Sequence, residues 1–283
     1  MSIISQEDIL EYLKKILIGK KGEIKKLSKS LDQRGIALKK RKEYRAGSKA
    51  GFVKNIGRDR INVIAEIKKA SPSRGIINNN LDIKKVALLY DKHSSFISGI
   101  SVLTEPLYFK GSPSDIKKVK RQSDLPILRK DFILSETQVY ESAALGVDCI
   151  LLISSILGLG KLVKLYNLAT DLGLEVLVEI HNEYELGKAF DVGAQFIGIN
   201  NRNLKDMKVD INTTYNILKS NLMGNVTNKV FVCESGIESV GDMKKLFARG
   251  INTFLIGSYF MKSRNLEKTL DDMESELREE KLI

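Results

Sequence analysis

The sequence predicts an α/β protein built as a (β/α)8 barrel of the TIM type, with a helical extension in front of it. Three observations predict this fold. From Asn62 onward a short β-branched run recurs eight times, each followed by an amphipathic helical stretch. The units follow one another at a fairly even spacing, which calls for parallel strands joined by crossover helices. Nothing in the series marks the switch point that the alternative, an open doubly wound sheet, requires. Eight such units close most naturally into a barrel.

The extension comes first. Residues 1–60 do not fit the repeat; Glu7–Leu17 and Gly22–Leu31 read as helices, followed by a connector rich in Gly and Lys. Their place is open among three: the barrel bottom, the outer ring and the active-site mouth. The barrel is expected over 61–283, with no second barrel after Ile283. Its strands read VIAEIK (63–68), GISVLT (99–104), PILRKD (126–131), CILLIS (149–154), EVLVEI (175–180), FIGINN (196–201), VFVCES (230–235) and TFLIGS (253–258). Helices fall between them, from Asp82–His93 to Leu266–Glu274. Ser135 is placed as an N-cap, and Gly146, Gly173 and Gly250 as residues that end helices. Gly146-Val-Asp, Gly193-Ala-Gln and Gly250-Ile-Asn repeat one device, in which a helix stops and the next strand begins.

Composition narrows the function classes. Of 283 residues 43% are hydrophobic, enough for one large core. There is no apolar run of spanning length and no signal-peptide layout, so no membrane role and a cytoplasmic location are expected. The two cysteines, Cys149 and Cys233, lie in apolar strand-like runs and read as buried thiols. The two histidines, His93 and His181, have no ligand-type neighbour in sequence, so no metal is expected. The net charge of +11 is concentrated: residues 1–60 hold 17 of the 46 Lys and Arg but 7 of the 35 Asp and Glu. Aromatics are not interleaved there as base-stacking surfaces require, so a solvated helical face is expected and no nucleic-acid partner.

In such a barrel the active site lies at the C-terminal ends of the strands. The first strand ends with Glu66 and Lys68, which point to the same side. Charges facing into a closed barrel are costly unless they are paired or bind a ligand. The third strand adds Lys130 and Asp131, the fifth Glu179, the sixth Asn200 and Asn201 followed by Arg202, and the seventh Glu234. Ser235-Gly236 and Gly257-Ser258 follow the last two strands, where barrels bind phosphate through backbone N–H groups. Ser71-Pro-Ser-Arg-Gly75 forms a polar loop suited to lap over a phosphorylated substrate. These residues imply acid–base work by Lys and Glu, without a metal or a histidine base. They leave the reaction open, with a Schiff-base aldolase using Lys130 or a sugar-phosphate isomerase among the alternatives.

Seven segments, in order, carry a resemblance: IAEIKKASPSRG (64–75), SVLTEPLYFKGS (101–112), LRKDFI (128–133), LVEIHNEYEL (177–186), IGINNRNL (197–204), ESGI (234–237) and FLIGSYFM (254–261). They resemble the indole-3-glycerol-phosphate synthases of tryptophan biosynthesis. The resemblance implies conversion of 1-(2-carboxyphenylamino)-1-deoxy-D-ribulose 5-phosphate to indole-3-glycerol phosphate, with loss of CO2 and water and without a cofactor. It implies that Lys130 is the general acid of ring closure, that Lys68 lies near the substrate carboxylate, and that Glu179 serves the dehydration with Glu66 assisting. Asn200 then orients substrate hydroxyls. Ser235, Gly236, Gly257 and Ser258 form the phosphate cradle with Arg202 nearby, and Phe109 and Phe132 wall the anthranilate ring. Ser71 and Glu234 match further active-site positions. A monomer or weak homo-oligomer is expected. Tyr259 stands where many relatives carry a smaller residue, which narrows the mouth.

Overall fold

Alternation along each strand decides the architecture. In β1 (Asn62–Ile67) Val63, Ala65 and Ile67 belong to the layer shared with the helices, while Ile64 belongs to a separate inner cluster. The same split recurs around a closed parallel sheet made of β1, β2 (Ile97–Leu103), β3 (Ile127–Lys130), β4 (Cys149–Ile153), β5 (Glu175–Ile180), β6 (Phe196–Asn200), β7 (Val230–Glu234) and β8 (Thr253–Ile256). Each strand pairs in parallel with its sequence neighbour, and β8 returns to β1. The computed structural model describes residues 6–28, 35, 51–72, 75–78, 80–226 and 228–283.

Among the described residues, α1 (Gln6–Leu27) and α2 (Phe52–Asn55) precede the barrel. Around it run α3 (Ile83–Lys92), α4 (Pro113–Lys120), α5 (Glu136–Leu145), α6 (Leu159–Asp171), α7 (Glu183–Asp191), α8 (Asn212–Leu218), α9 (Val240–Phe247), α10 (Ser258–Met261) and α11 (Leu266–Glu279). The expected (β/α)8 barrel is thus present, with helices alternating with strands. The repeated glycine device is present too: Gly146, Gly193 and Gly250 all take left-handed φ, where a side chain would be strained. Ser135 holds the N-cap place of α5, but its side chain makes no cap hydrogen bond.

The extension departs from expectation. Helices over Glu7–Leu17 and Gly22–Leu31 give way to the single helix α1; residues 29–31 lie outside the described residues. Gly19 and Gly22 each weaken a helix by about 1 kcal/mol relative to alanine. Tertiary contacts override them: Ile16 is buried in the inner cluster, and Lys20, also buried, bonds Asp131 at 2.7 Å and Glu23 at 2.8 Å. Because Asp131 follows the last residue of β3, α1 lies at the mouth. Tyr12 meets Tyr108 edge-on there, with ring centroids 4.1 Å apart.

The opposite end is closed by α2. Phe52 is fully buried against Phe196 at the start of β6. A Cβ at Gly99 would run into the Phe52 ring, so the glycine in β2 makes room for the plug. The Glu175 carboxylate, at the start of β5, accepts the N–H groups of Phe52 and Val53 and satisfies the free donors of this short helix. The side chain of Asn62 binds Gly57, Arg60 and Asn252 and ties the same end together. Phe52→Ala is expected to cost about 3–5 kcal/mol of stability, read as a lower urea midpoint at unchanged slope.

Candidate active site

The last residues of alternate strands converge inside the mouth. Lys130 ends β3, Glu179 lies one residue from the end of β5, and Glu234 ends β7. The Lys130 ammonium bonds Glu234 at 2.9 Å and Glu179 at 3.2 Å. On β1, Glu66 bonds Lys68 at 2.7 Å, so this pair shares one side as its spacing implies. Glycines open space for the carboxylates: a Cβ at Gly198 would collide with Glu234, and one at Gly257 with Glu66.

Lys130 and Asp131 do not pair with each other. Alternation sends Arg129 and Asp131 outward, where Asp131 binds Arg129, Thr104 and Lys20, and Arg129 also binds Glu141. Asn200 and Asn201 part in the same way. The Asn200 side-chain oxygen accepts the Ser235 hydroxyl at 3.0 Å and the Arg202 backbone N–H at 2.9 Å. Asn201 turns into a buried network with Cys233, Ser235 and Thr214. The Arg202 guanidinium donates to the Met207 carbonyl.

A cleft of about 1280 Å³ opens here. Glu66, Lys68, Lys130, Arg202 and Glu234 line its charged side; Ser235, Gly236, Gly257 and Ser258 line its far side. Ser235 (φ 67°) and Gly236 (φ 84°) are consecutive left-handed residues, a strained turn of the kind kept at functional sites. Ser258 opens α10 directly after β8. Tyr259 and Lys262 add to the wall. Phe109 and Phe132 stand apart from the cleft in the inner cluster, beside Ile16 of α1. Ser71 is buried, with a hydroxyl that has no hydrogen-bond partner among the described residues.

Burial and charge sort the carboxyls. For Glu66, burial opposes ionisation, but Lys68 and then Lys130 outweigh it and hold the carboxyl below its ordinary range. For Glu179, burial is outweighed by Lys130, then His181, with a hydrogen bond from Asn200, and the group again lies low. Glu234 goes the other way. Burial, reinforced by the charges of Glu179 and Glu66, outweighs Lys130 and pushes it up to about 7. Its Oε1 is buried without a partner. Lys130 loses by burial but gains more from Glu234, Glu179 and Glu66, so its proton is held more tightly than usual.

The sequence reading gave histidine no part in the site, yet the structure sets His181 beside one of its carboxylates. His181, just past β5, places Nε2 3.4 Å from Glu179 and Nδ1 3.1 Å from Glu185. The signal was available, since Glu179 and His181 are two residues apart at a strand end and face the same way. Among the described residues no group of His, Cys, Asp and Glu forms a metal site.

The Glu234 shift has a testable sign. Its folded value, about 7, lies above the ordinary 4.5, so folding favours the protonated form. The stability it contributes is full below the unfolded value and is lost as pH rises to the folded one. Glu234→Gln removes this loss. Its unfolding midpoint is expected to fall less between about pH 4.5 and pH 7.5 than that of the natural chain; a parallel decline in both would contradict the assignment.

Comparisons with known proteins identify the family. Residues 13–273 match the profile of the family described as indole-3-glycerol phosphate synthase. The indole-3-glycerol phosphate synthase of Thermoanaerobacter pseudethanolicus is 47% identical over 220 residues, covering 78% of this chain and 82% of that one. That of Caldanaerobacter subterraneus subsp. tengcongensis is 41% identical over 257 residues, covering 90% and 93%. Among solved structures, KGPDC from Streptococcus mutans aligns with a TM-score of 0.56 at 15% identity, covering 78% of this chain and 98% of that one. A thiamine phosphate pyrophosphorylase from Pyrococcus furiosus aligns at 0.54 and 14%, with the same coverage. At such identities the two structures speak for the barrel fold alone. The profile match and the identity along most of the chain settle the family: the chain belongs to the indole-3-glycerol phosphate synthases, carboxy-lyases of tryptophan biosynthesis.

Proposed function

We propose that the mouth binds 1-(2-carboxyphenylamino)-1-deoxy-D-ribulose 5-phosphate and closes the indole ring with Lys130 as the acid. The observation that carries this reading is the Lys130 ammonium, held by Glu179 and Glu234 at the centre of the strand ends. Ring closure drives negative charge onto the ketone oxygen, and a fixed ammonium stabilises that charge in a water-poor site. An ammonium that holds its proton tightly gives it only to a more basic oxygen, such as the alkoxide being formed.

The other roles in this proposal are those the resemblance implies. Lys68, at the edge of the charged side, holds the substrate carboxylate until CO2 leaves. Phe109 and Phe132, set apart from the cleft in the inner cluster, are assigned to the wall of the aromatic ring by the resemblance and not by contact with the cleft. Ser71 belongs to the loop assigned to lap over the substrate, of which Ser73 and Arg74 lie outside the described residues. Ser235, Gly236, Gly257 and Ser258 cradle the phosphate through backbone N–H groups, with Arg202 beside them. That anchor and the apolar wall hold the ring carbon against the carbonyl. Asn200, hydrogen-bonded to Ser235, orients substrate hydroxyls. Dehydration then needs a base and an acid; Glu179 takes the proton, with Glu66 assisting, and Glu234 lies close enough to neutrality to exchange one. All these groups come from the chain itself, so the proposal includes no cofactor.

We place residues 1–60 as an extension that serves the barrel over 61–283, supported by the contacts of α1 at the mouth and α2 at the bottom. Among the described residues no helix is long and apolar enough to cross a membrane. A cytoplasmic enzyme, monomeric or weakly homo-oligomeric and without a nucleic-acid partner, fits this reading.

The chain has no Trp, so indole fluorescence reports product against a dark background. Adding the carboxyphenylamino ribulose phosphate is expected to produce that signal together with CO2; no signal at high enzyme concentration rejects the reading. Lys130→Met is expected to lower turnover by at least about a hundredfold, with binding of a phosphate ligand retained. Full activity in that variant removes Lys130 from its role.

A further inference from the structure

The two histidines are placed very differently. His93 bonds the Leu89 carbonyl at 2.8 Å and Asp271 at 3.0 Å, and so joins α3 to α11. His181 is directed into the site. Its Nδ1 lies 3.1 Å from Glu185, whose same oxygen accepts the His181 backbone N–H at 2.9 Å. The other Glu185 oxygen accepts the side-chain amide of Asn182, and the Asn182 oxygen caps α7 by accepting the Glu185 N–H. The ring is therefore oriented by the first turn of α7. Among the described residues its buried Nε2 has no hydrogen-bond partner, and it stands 3.4 Å from Glu179 Oε1.

A carboxylate only accepts, so Nδ1 facing Glu185 carries a proton. Nε2 faces a second carboxylate, and that contact attracts only if it is protonated as well. We infer that His181, fixed as an imidazolium by Glu185, is a positioning residue that grips one oxygen of Glu179 while Lys130 grips the other. Burial disfavours the charged ring, but the hydrogen bond it donates to Glu185 and the charges of Glu179, Glu185 and Glu234 raise its pKa. The two cations keep Glu179 ionised and hold its carboxylate plane before a proton is taken.

The groups facing this pair come from every neighbouring element. Lys130 comes from β3, Asn200 from β6 and Glu234 from β7; Glu66 and Lys68 lie beyond Lys130 on β1. On α7, Lys188 is turned to the carbonyls of Ser154 and Leu157.

The inference rests on the acid–base role proposed for Glu179, and the test separates the two. Turnover of the full chain is followed by indole fluorescence across the pH range for Glu179→Gln, His181→Gln and Glu185→Gln. Glu179→Gln is expected to abolish turnover; if it does not, the role of Glu179 fails on its own. His181→Gln is expected to lower kcat about tenfold near pH 6 and to move the acid limb of kcat up by about one unit, because losing a nearby cation raises a carboxyl pKa. KM is expected to stay unchanged, since the phosphate anchor is elsewhere. Glu185→Gln keeps an acceptor for Nδ1 but removes the charge, and is expected to shift the limb the same way by less. It carries the test alone should His181→Gln fail to fold. An unmoved acid limb, with kcat unchanged or reduced by one factor at every pH, overturns the inference.

Discussion

The mouth of this barrel depends on one buried ammonium. Lys130 lies between Glu179 and Glu234, and its charge also reaches Glu66. Three carboxyls inside a closed sheet repel one another, and each loses its water; without a cation among them the cluster cannot stay ionised. The backbone is shaped around the same constraint. Gly198 in β6 and Gly257 after β8 leave the volumes that the Glu234 and Glu66 carboxyls occupy. The one carboxyl that the cations do not fully compensate is Glu234, raised to about 7. A carboxyl placed near neutrality suits the proton transfer that the proposed function asks of this site.

A second charged layer lies directly behind the first. Because side chains alternate along β3, Arg129 and Asp131 flank Lys130 and face away from it. They meet Thr104, Glu141 and, from α1, Lys20. For Asp131, burial is outweighed by Arg129 and Lys20, and it stays ionised. Both residues next to Lys130 are therefore locked in a satisfied polar network, which fixes the end of β3 more firmly than packing alone would. Since Lys20 is part of that network, α1 is coupled to the position of Lys130 through a single peptide unit.

The strands, their order and the set of residues at their ends were legible in the sequence, because period-two alternation and glycine stops are local signals. Glu66 with Lys68 needed only the rule that residues two apart share a side. The partners of Lys130 were not legible. Glu179 and Glu234 lie 49 and 104 residues away, and their meeting depends on barrel closure. The continuity of α1 was hidden for the same reason: Gly19 and Gly22 signal a break, and the contacts of Ile16 and Lys20 that override it are tertiary. Phe52 looked like one scattered aromatic until Gly99 and Phe196 showed the space it fills. His181 was passed over because histidine was weighed as a metal ligand and not as a neighbour of Glu179.

The division between strand and turn explains how one mouth can serve two demands. Glu66, Lys130, Glu179, Asn200 and Glu234 sit on strands that are hydrogen-bonded on both sides. Proton transfer tolerates little displacement, and such backbone gives little. Ser235, Gly236 and Ser258 sit in turns, where left-handed residues and an exposed helix start present N–H groups that no strand could spare. The phosphate in the proposed function is held there by many weak donors, so its own position is less critical. His181 and Lys68 lie at the boundary, one residue past their strands, and each reaches back to a carboxylate on the strand it follows. The turn-borne cations can therefore respond to a ligand while the strand-borne carboxylates stay fixed.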